Sequence, residues 1–104
     1  MYKVVITELA NNDLEGIVSY ILEELISPVA ATNLLKEIEK AYEHLSTNPL
    51  IYEVCRDARL AKDGYHRVVI KNYVLIFKID EKSKAVNILR FFYGAMDYIN
   101  LIWV

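Results

Sequence analysis

The chain has 104 residues, 55% of them apolar and 25% charged, with a formal net charge of −2 and one cysteine. That length supports one domain around one modest core. The single cysteine, Cys55, excludes an intrachain disulfide and fits a reducing compartment, and the acidic balance excludes the overall basic footprint of a general nucleic-acid binder. The opening MYKVVITELANND lacks the basic start and long apolar run of a signal peptide, and no window approaches the run of about eighteen apolar residues that a membrane span needs. The expectation is a soluble, cytoplasmic chain with no membrane partner. Charge is unevenly placed: residues 1–50 carry three Lys against eight Asp and Glu (net −5), and residues 51–104 carry nine Lys and Arg against six (net +3). The second half therefore has the means to present a local anion-binding face.

YKVVI, residues 2–6, reads as a short strand. Thr7 is placed to cap the helix that follows, with Glu8 at its positive end. Leu14, Ile17, Val18, Ile21, Leu22 and Leu25 recur at three- and four-residue steps and form one apolar face, with Asn11, Asn12, Glu15, Ser19 and Glu23 on the polar side. Ser27-Pro28 restarts the pattern with a capping serine and a proline at the first helical position. Ala31, Leu34, Leu35, Ile38, Ala41, Tyr42 and Leu45 make a second stripe, which Asn48-Pro49 ends. So short a connector predicts an antiparallel helical hairpin.

Residues 50–64 read as irregular. Three strand-like runs follow: YHRVVI (65–70), YVLIFKI (73–79) and AVNILRFFY (85–93). Lys71-Asn72 is a tight-turn candidate and Asp80 to Lys84 a longer one, so the runs predict an antiparallel meander. Strict alternation in the last run puts Val86, Ile88, Arg90 and Phe92 on one face and Leu89, Phe91 and Tyr93 on the other. The element order is β-α-α-β-β-β. It predicts an α+β fold in which a helical hairpin packs on a mainly antiparallel four-stranded sheet, in a single domain spanning 1–104.

Metal chemistry has little support. The two histidines and one cysteine are far apart without ligand spacing, so neither a metal nor a cofactor is expected. No glycine-rich loop cradles a phosphate. Cys55 with His44 or His66 is a candidate nucleophile–base pair, set against the usual role of a free cysteine as a small buried hydrophobe. The remaining candidates are cations: Arg56, Arg59 and Lys62 before the meander, Arg67 in its first strand and Arg90 in its last. A guanidinium in a sheet must find an anion or reach water. If Arg67 and Arg90 share a face, they offer fork-shaped donors suited to phosphate. The alternative is a structural ion pair with Asp80, Asp97 or Glu53. The apolar end, Tyr98, Ile99, Leu101, Ile102, Trp103 and Val104, either packs back onto the sheet or docks a partner.

The whole chain resembles the RelE/ParE superfamily of toxins from type II toxin–antitoxin systems. The resemblance is carried by YKVVIT-x-LA-x-x-DLE, LSTNPLIYEVCRD, GYHRVVIKNYVLIFKID and VNILRFFYGAMDYINL, in that order over essentially the full length. It implies growth inhibition and neutralisation by a cognate antitoxin; a second copy of the chain is a further candidate partner for the apolar end. In the RelE branch it implies metal-independent cleavage of messenger RNA on the ribosome. Arg67 and Arg90 would then stabilise charge on phosphorus, Tyr93 would assist proton transfer or stack a base, and Arg56, Arg59 and Lys62 would hold nucleic-acid backbone. In the ParE branch it implies inhibition of DNA gyrase by protein contact. Ala95 stands where related chains often have a basic residue, Tyr93 where many ParE-like chains have histidine, and the pI of about 5.6 is low for a ribosome-entering protein. In motif the chain is nearer the ParE branch. The activity expected first is the metal-independent, ribosome-dependent messenger endoribonuclease, with a ParE-like inhibitor of DNA gyrase, or a decayed toxin that only binds antitoxin, as the alternatives.

Overall fold

The computed structural model describes residues 1–55 and 57–94. Strand β1 is Lys3–Ile6, helix α1 Glu8–Glu23 and helix α2 Pro28–Thr47, followed by a 3-10 turn at Pro49–Ile51, helix α3 at Ala58–Lys62, and strands β2 His66–Ile70, β3 Tyr73–Asp80 and β4 Ala85–Tyr93. The four strands form one sheet in the order β1-β4-β3-β2, with β1 parallel to β4 and the other pairs antiparallel. This is the α+β architecture that the element order predicts.

Local chemistry places the helices. The Thr7 hydroxyl accepts the Ala10 amide at 3.2 Å and the Ser27 hydroxyl accepts the Ala30 amide at 3.2 Å, so each helix starts on a side-chain cap. Pro28 opens α2, where its missing N–H costs nothing. Between the helices Ile26 has φ +48, a left-handed conformation that strains a β-branched residue. The α2 stripe Ala31, Leu34, Ile38, Ala41 and Leu45 is buried against Leu75, Phe77, Val86, Ile88 and Phe91 of the sheet. Burying one such large side chain contributes about 1.5–3 kcal/mol, so this face is the principal core.

The stretch 50–64 is more ordered than its composition suggests. Asp57 caps α3 by accepting the amides of Arg59 at 3.0 Å and Leu60 at 3.2 Å. That short helix carries Leu60 onto the opposite sheet face, where it joins Cys55, Val74, Ile76 and Phe92 in a second buried cluster. Both faces of the sheet are therefore covered.

Strict alternation does not hold along β4. Ile76 pairs with Arg90 but Phe77 pairs with Ile88, so Leu89 is an extra residue and the strand bulges. Beyond it the side-chain phase flips. Val86 and Ile88 face the helices together with Phe91, whereas Phe92 lies in the second cluster and Arg90 stands opposite Ile76 of that cluster. The grouping of Val86, Ile88, Arg90 and Phe92 on one face is thus corrected. A single inserted residue exchanges the faces of everything after it.

Candidate functional site

β1 ends at Ile6, opposite Ile88, and leaves the rest of β4 as an edge. Unpaired backbone groups on such an edge need partners. Thr7 and α1 supply them: the Thr7 hydroxyl donates to the Leu89 carbonyl at 3.3 Å, and Asp13 Oδ2 accepts the Phe91 amide at 3.1 Å. Asp13 also receives Arg90, with Nε at 2.7 Å from Oδ2 and Nη2 at 3.2 Å from Oδ1. Both side chains are largely buried, at 16% and 17% exposure. The Arg90 guanidinium also lies 4.6 Å from the centre of the Phe92 ring. The last strand accommodates a guanidinium because α1 brings a carboxylate to its edge.

Arg67 and Arg90 do share a sheet face. Each pairs in register with Ile76, one from each side, so two strand spacings put their Cα atoms about 10 Å apart. Arg67 Nε is buried and lies 3.7 Å from Glu53 Oε1, without a hydrogen-bond partner among the described residues. Glu53 is among the partners that the sequence suggests for an arginine; Asp13 is not. Tyr93 ends β4, half exposed, with its ring edge-on to Tyr73 at 5.8 Å.

Gly94 answers to a close approach. Its amide donates to the Asn72 carbonyl at 2.6 Å, and a Cβ there would lie 3.0 Å from that same oxygen. The β2–β3 turn, with Lys71 at φ +54, and the end of β4 are thereby locked together. Arg59 and Lys62 sit in the last turn of α3, both exposed, with Arg59 3.6 Å from Asp57. They lie on a different element from the Arg67–Arg90 row. Arg56, Asp97 and the apolar end from Tyr98 to Val104 lie outside the described residues.

The cysteine pairing finds no support in the geometry. Cys55 is buried, and burial pushes its thiol pKa up, so the neutral thiol is favoured. His66 Nδ1 lies 3.2 Å from the Tyr52 carbonyl, and His44 Nδ1 lies 3.4 Å from the Tyr52 hydroxyl. Among the described residues no three His, Cys, Asp or Glu side chains gather as a metal site, and no helix is long and apolar enough to cross a membrane.

Two adjoining clefts open at the end of the sheet that carries Tyr93. The larger, about 810 Å³, lies between α1 and the β3–β4 end and is lined by Asn12, Gly16, Tyr20, Asn72, Tyr73 and Tyr93 among others. The smaller, about 300 Å³, shares Asn72, Tyr73 and Tyr93 and adds Arg67 and Lys71. The phenol of Tyr73 has a raised pKa, chiefly through burial and then through its neighbours Tyr93 and Tyr20. The helix side of this site escapes the sequence reading, which takes Asn12 only as a residue of the polar face. A signal was present: Asn12, Gly16 and Tyr20 are spaced by four and form one stripe along α1.

Comparison with known proteins adds the following. The family model described as the ParE toxin of a type II toxin–antitoxin system, parDE, matches residues 4–98. The structure is similar to the toxin–antitoxin complex RelBE2 from Mycobacterium tuberculosis, with TM-score 0.62 and 25% identity, over 88% of this chain and 96% of that one. It is similar to the chromosomal ParDE system of P. aeruginosa, with TM-score 0.68 and 20% identity, over 88% and 94%. An archaeal RelE–RelB complex from Pyrococcus horikoshii matches with TM-score 0.61 and 15% identity, over 90% and 96%. No curated protein sequence matches the chain.

Proposed function

Because the chain belongs to the ParE toxin family of type II toxin–antitoxin systems, we propose that it arrests growth by binding its target as a protein, the target being DNA gyrase as the ParE resemblance implies, and that a cognate antitoxin neutralises it. The observation that carries this reading is the Asp13–Arg90 tie. Metal-independent RNA cleavage needs cations directed at the charge developing on phosphorus. Arg90 instead directs Nε and Nη2 onto Asp13. A guanidinium used in this way supports a scaffold role in a binding protein. An antitoxin partner is supported by the solved relatives, which are toxin–antitoxin complexes. Action on gyrase would place the protein in the cytoplasm.

A second reading, messenger cleavage, is favoured by one observation: Arg67 and Arg90 occupy one row beside Ile76, near Tyr93. In that reading Arg67 and Arg90 stabilise charge, Tyr93 stacks or moves a proton, and Arg56, Arg59 and Lys62 hold backbone.

Induced expression tests the toxin reading. Growth should stop on induction without the antitoxin and resume when the neighbouring antitoxin gene is co-expressed. Normal growth at high levels of folded protein would reduce the chain to a decayed toxin.

A further inference from the structure

Beyond Gly94 the chain leaves the sheet from a fixed point. The Gly94 amide is held on the Asn72 carbonyl at 2.6 Å, and both Asn72 and Tyr93 line the larger cleft. Residues 95–104, AMDYINLIWV, are therefore tethered at the rim of that cleft. Seven of these ten are large and apolar, Asp97 is their one charge, and Trp103 is the single tryptophan of the chain. Each such side chain gains about 1.5–3 kcal/mol when it is buried, so the segment needs apolar surface within its reach.

The sheet faces do not supply it. One is filled by the α2 stripe, the other by Leu60, Cys55 and their neighbours. The apolar surface that the described residues leave uncovered near Gly94 lies along α1. Tyr20, Leu25 and Tyr93 line the larger cleft and are 55%, 56% and 47% exposed. The same wall carries Gly16, inside the helix, where glycine costs stability relative to alanine. Among the described residues nothing lies within 4 Å of a Cβ built there, so glycine keeps the wall low. Asp13, the carboxylate of the cleft, is already engaged by Arg90 and the Phe91 amide and does not oppose an apolar occupant. The lengths also agree. Asn12 and Tyr20 are about 12 Å apart along the helix axis, and ten residues span about 33 Å extended or about 15 Å as a helix.

We infer that the cleft is the docking groove for residues 95–104 of this same chain, which lie over Gly16 with their apolar side chains against Tyr20, Leu25 and Tyr93. The segment then straps α1 to the end of β4, a second tie beside the Asp13–Arg90 pair. It also covers Tyr93. A messenger nucleotide reaches that ring only after the strap has left, so docking sets a gate on the cleavage reading and none on action by contact. The inference rests on neither reading.

The test is NMR on the purified full chain, with acrylamide quenching of Trp103 fluorescence beside it. Nuclear Overhauser contacts should join the methyl groups and indole of residues 96–104 to the Tyr20 and Tyr93 rings. Trp103 should be shielded from acrylamide in buffer and lose that shielding in urea. Gly16→Leu, which fills the groove and favours helix, should keep the fold, abolish those contacts and leave Trp103 as quenchable as in urea. The wild-type contacts decide the matter even where Gly16→Leu does not fold. Contacts of the segment with other elements in place of Tyr20 and Tyr93, or no contacts at all, would overturn the assignment. So would unchanged Trp103 shielding in folded Gly16→Leu. A mixed sample of labelled and unlabelled chains separates a second copy from the same chain: contacts only between molecules would mean that another copy's segment fills the groove, and would overturn the inference too. These signals come from the protein alone. Their failure leaves the growth-arrest reading intact, and failure of growth arrest leaves the groove intact.

Discussion

Asp13 of α1 holds Arg90 of β4 through two hydrogen bonds, at 2.7 and 3.2 Å, and satisfies the Phe91 amide with the same carboxylate. One side chain thus does what a neighbouring strand does further back along β4, and it fixes where the helical hairpin meets the sheet. Asp13→Ala leaves a largely buried cation and a strand amide without this acceptor. The expected loss is about 3 kcal/mol of unfolding free energy, measured by urea denaturation. Asp13→Asn, which keeps an acceptor, should lose less. Equal stability of wild type and Asp13→Ala would remove the tie from the account.

Gly16→Ala should stabilise the protein by about 0.5–1 kcal/mol, the usual difference between glycine and alanine inside a helix. Among the described residues nothing lies within 4 Å of the added carbon to offset that gain. A raised thermal midpoint checks it, and a lowered one would mean that α1 needs glycine for packing.

Gly94→Ala should act in the opposite direction. The added carbon lies 3.0 Å from the Asn72 carbonyl oxygen, a backbone atom with no side-chain freedom to give way. A loss of about 1–2 kcal/mol is expected. Loss of slow amide exchange at Gly94, whose N–H reaches the Asn72 oxygen at 2.6 Å, would accompany it.

Among the described residues, Tyr42 has the large pKa displacement that makes stability depend on pH. Its hydroxyl is buried without a hydrogen-bond partner among the described residues, and burial pushes its pKa up from 10.0 to about 12. A raised folded-state pKa means that the folded state keeps the proton longer than the unfolded chain. The stabilisation is therefore complete below about pH 10 and falls as pH rises toward about 12. Tyr42→Phe should flatten that alkaline decline. At neutral pH it should leave stability equal or slightly higher, since an unsatisfied hydroxyl is removed. An alkaline slope unchanged in Tyr42→Phe would assign the decline to other tyrosines.

The sequence made the architecture legible wherever local chemistry decides it. Thr7 and Ser27 read as caps and are caps, and the α2 stripe from Ala31 to Leu45 is the core face except for Leu35, which is exposed. The bulge at Leu89 was not legible, because no glycine or proline marks it and alternation looks unbroken through it. The Asp13–Arg90 pair joins residues 77 apart in the chain, a distance over which spacing carries no information. The short helix α3 hides in a polar stretch whose signal is a single capping aspartate, Asp57. Of the cationic candidates, the shared face of Arg67 and Arg90 was anticipated as a condition that the register meets. The tyrosine cleft was missed, because its wall joins an α1 stripe to a distant turn.

The central claim is that the toxin acts by contact rather than by cutting RNA. Its most direct test is the supercoiling activity of purified gyrase with this protein added, run beside primer extension on messenger from induced cells. The account predicts that supercoiling falls with toxin concentration while messenger stays intact. Codon-positioned cleavage of messenger with unimpaired supercoiling, abolished by Arg90→Ala in a variant shown to be folded, would contradict it and return Arg67, Arg90 and Tyr93 to a catalytic role.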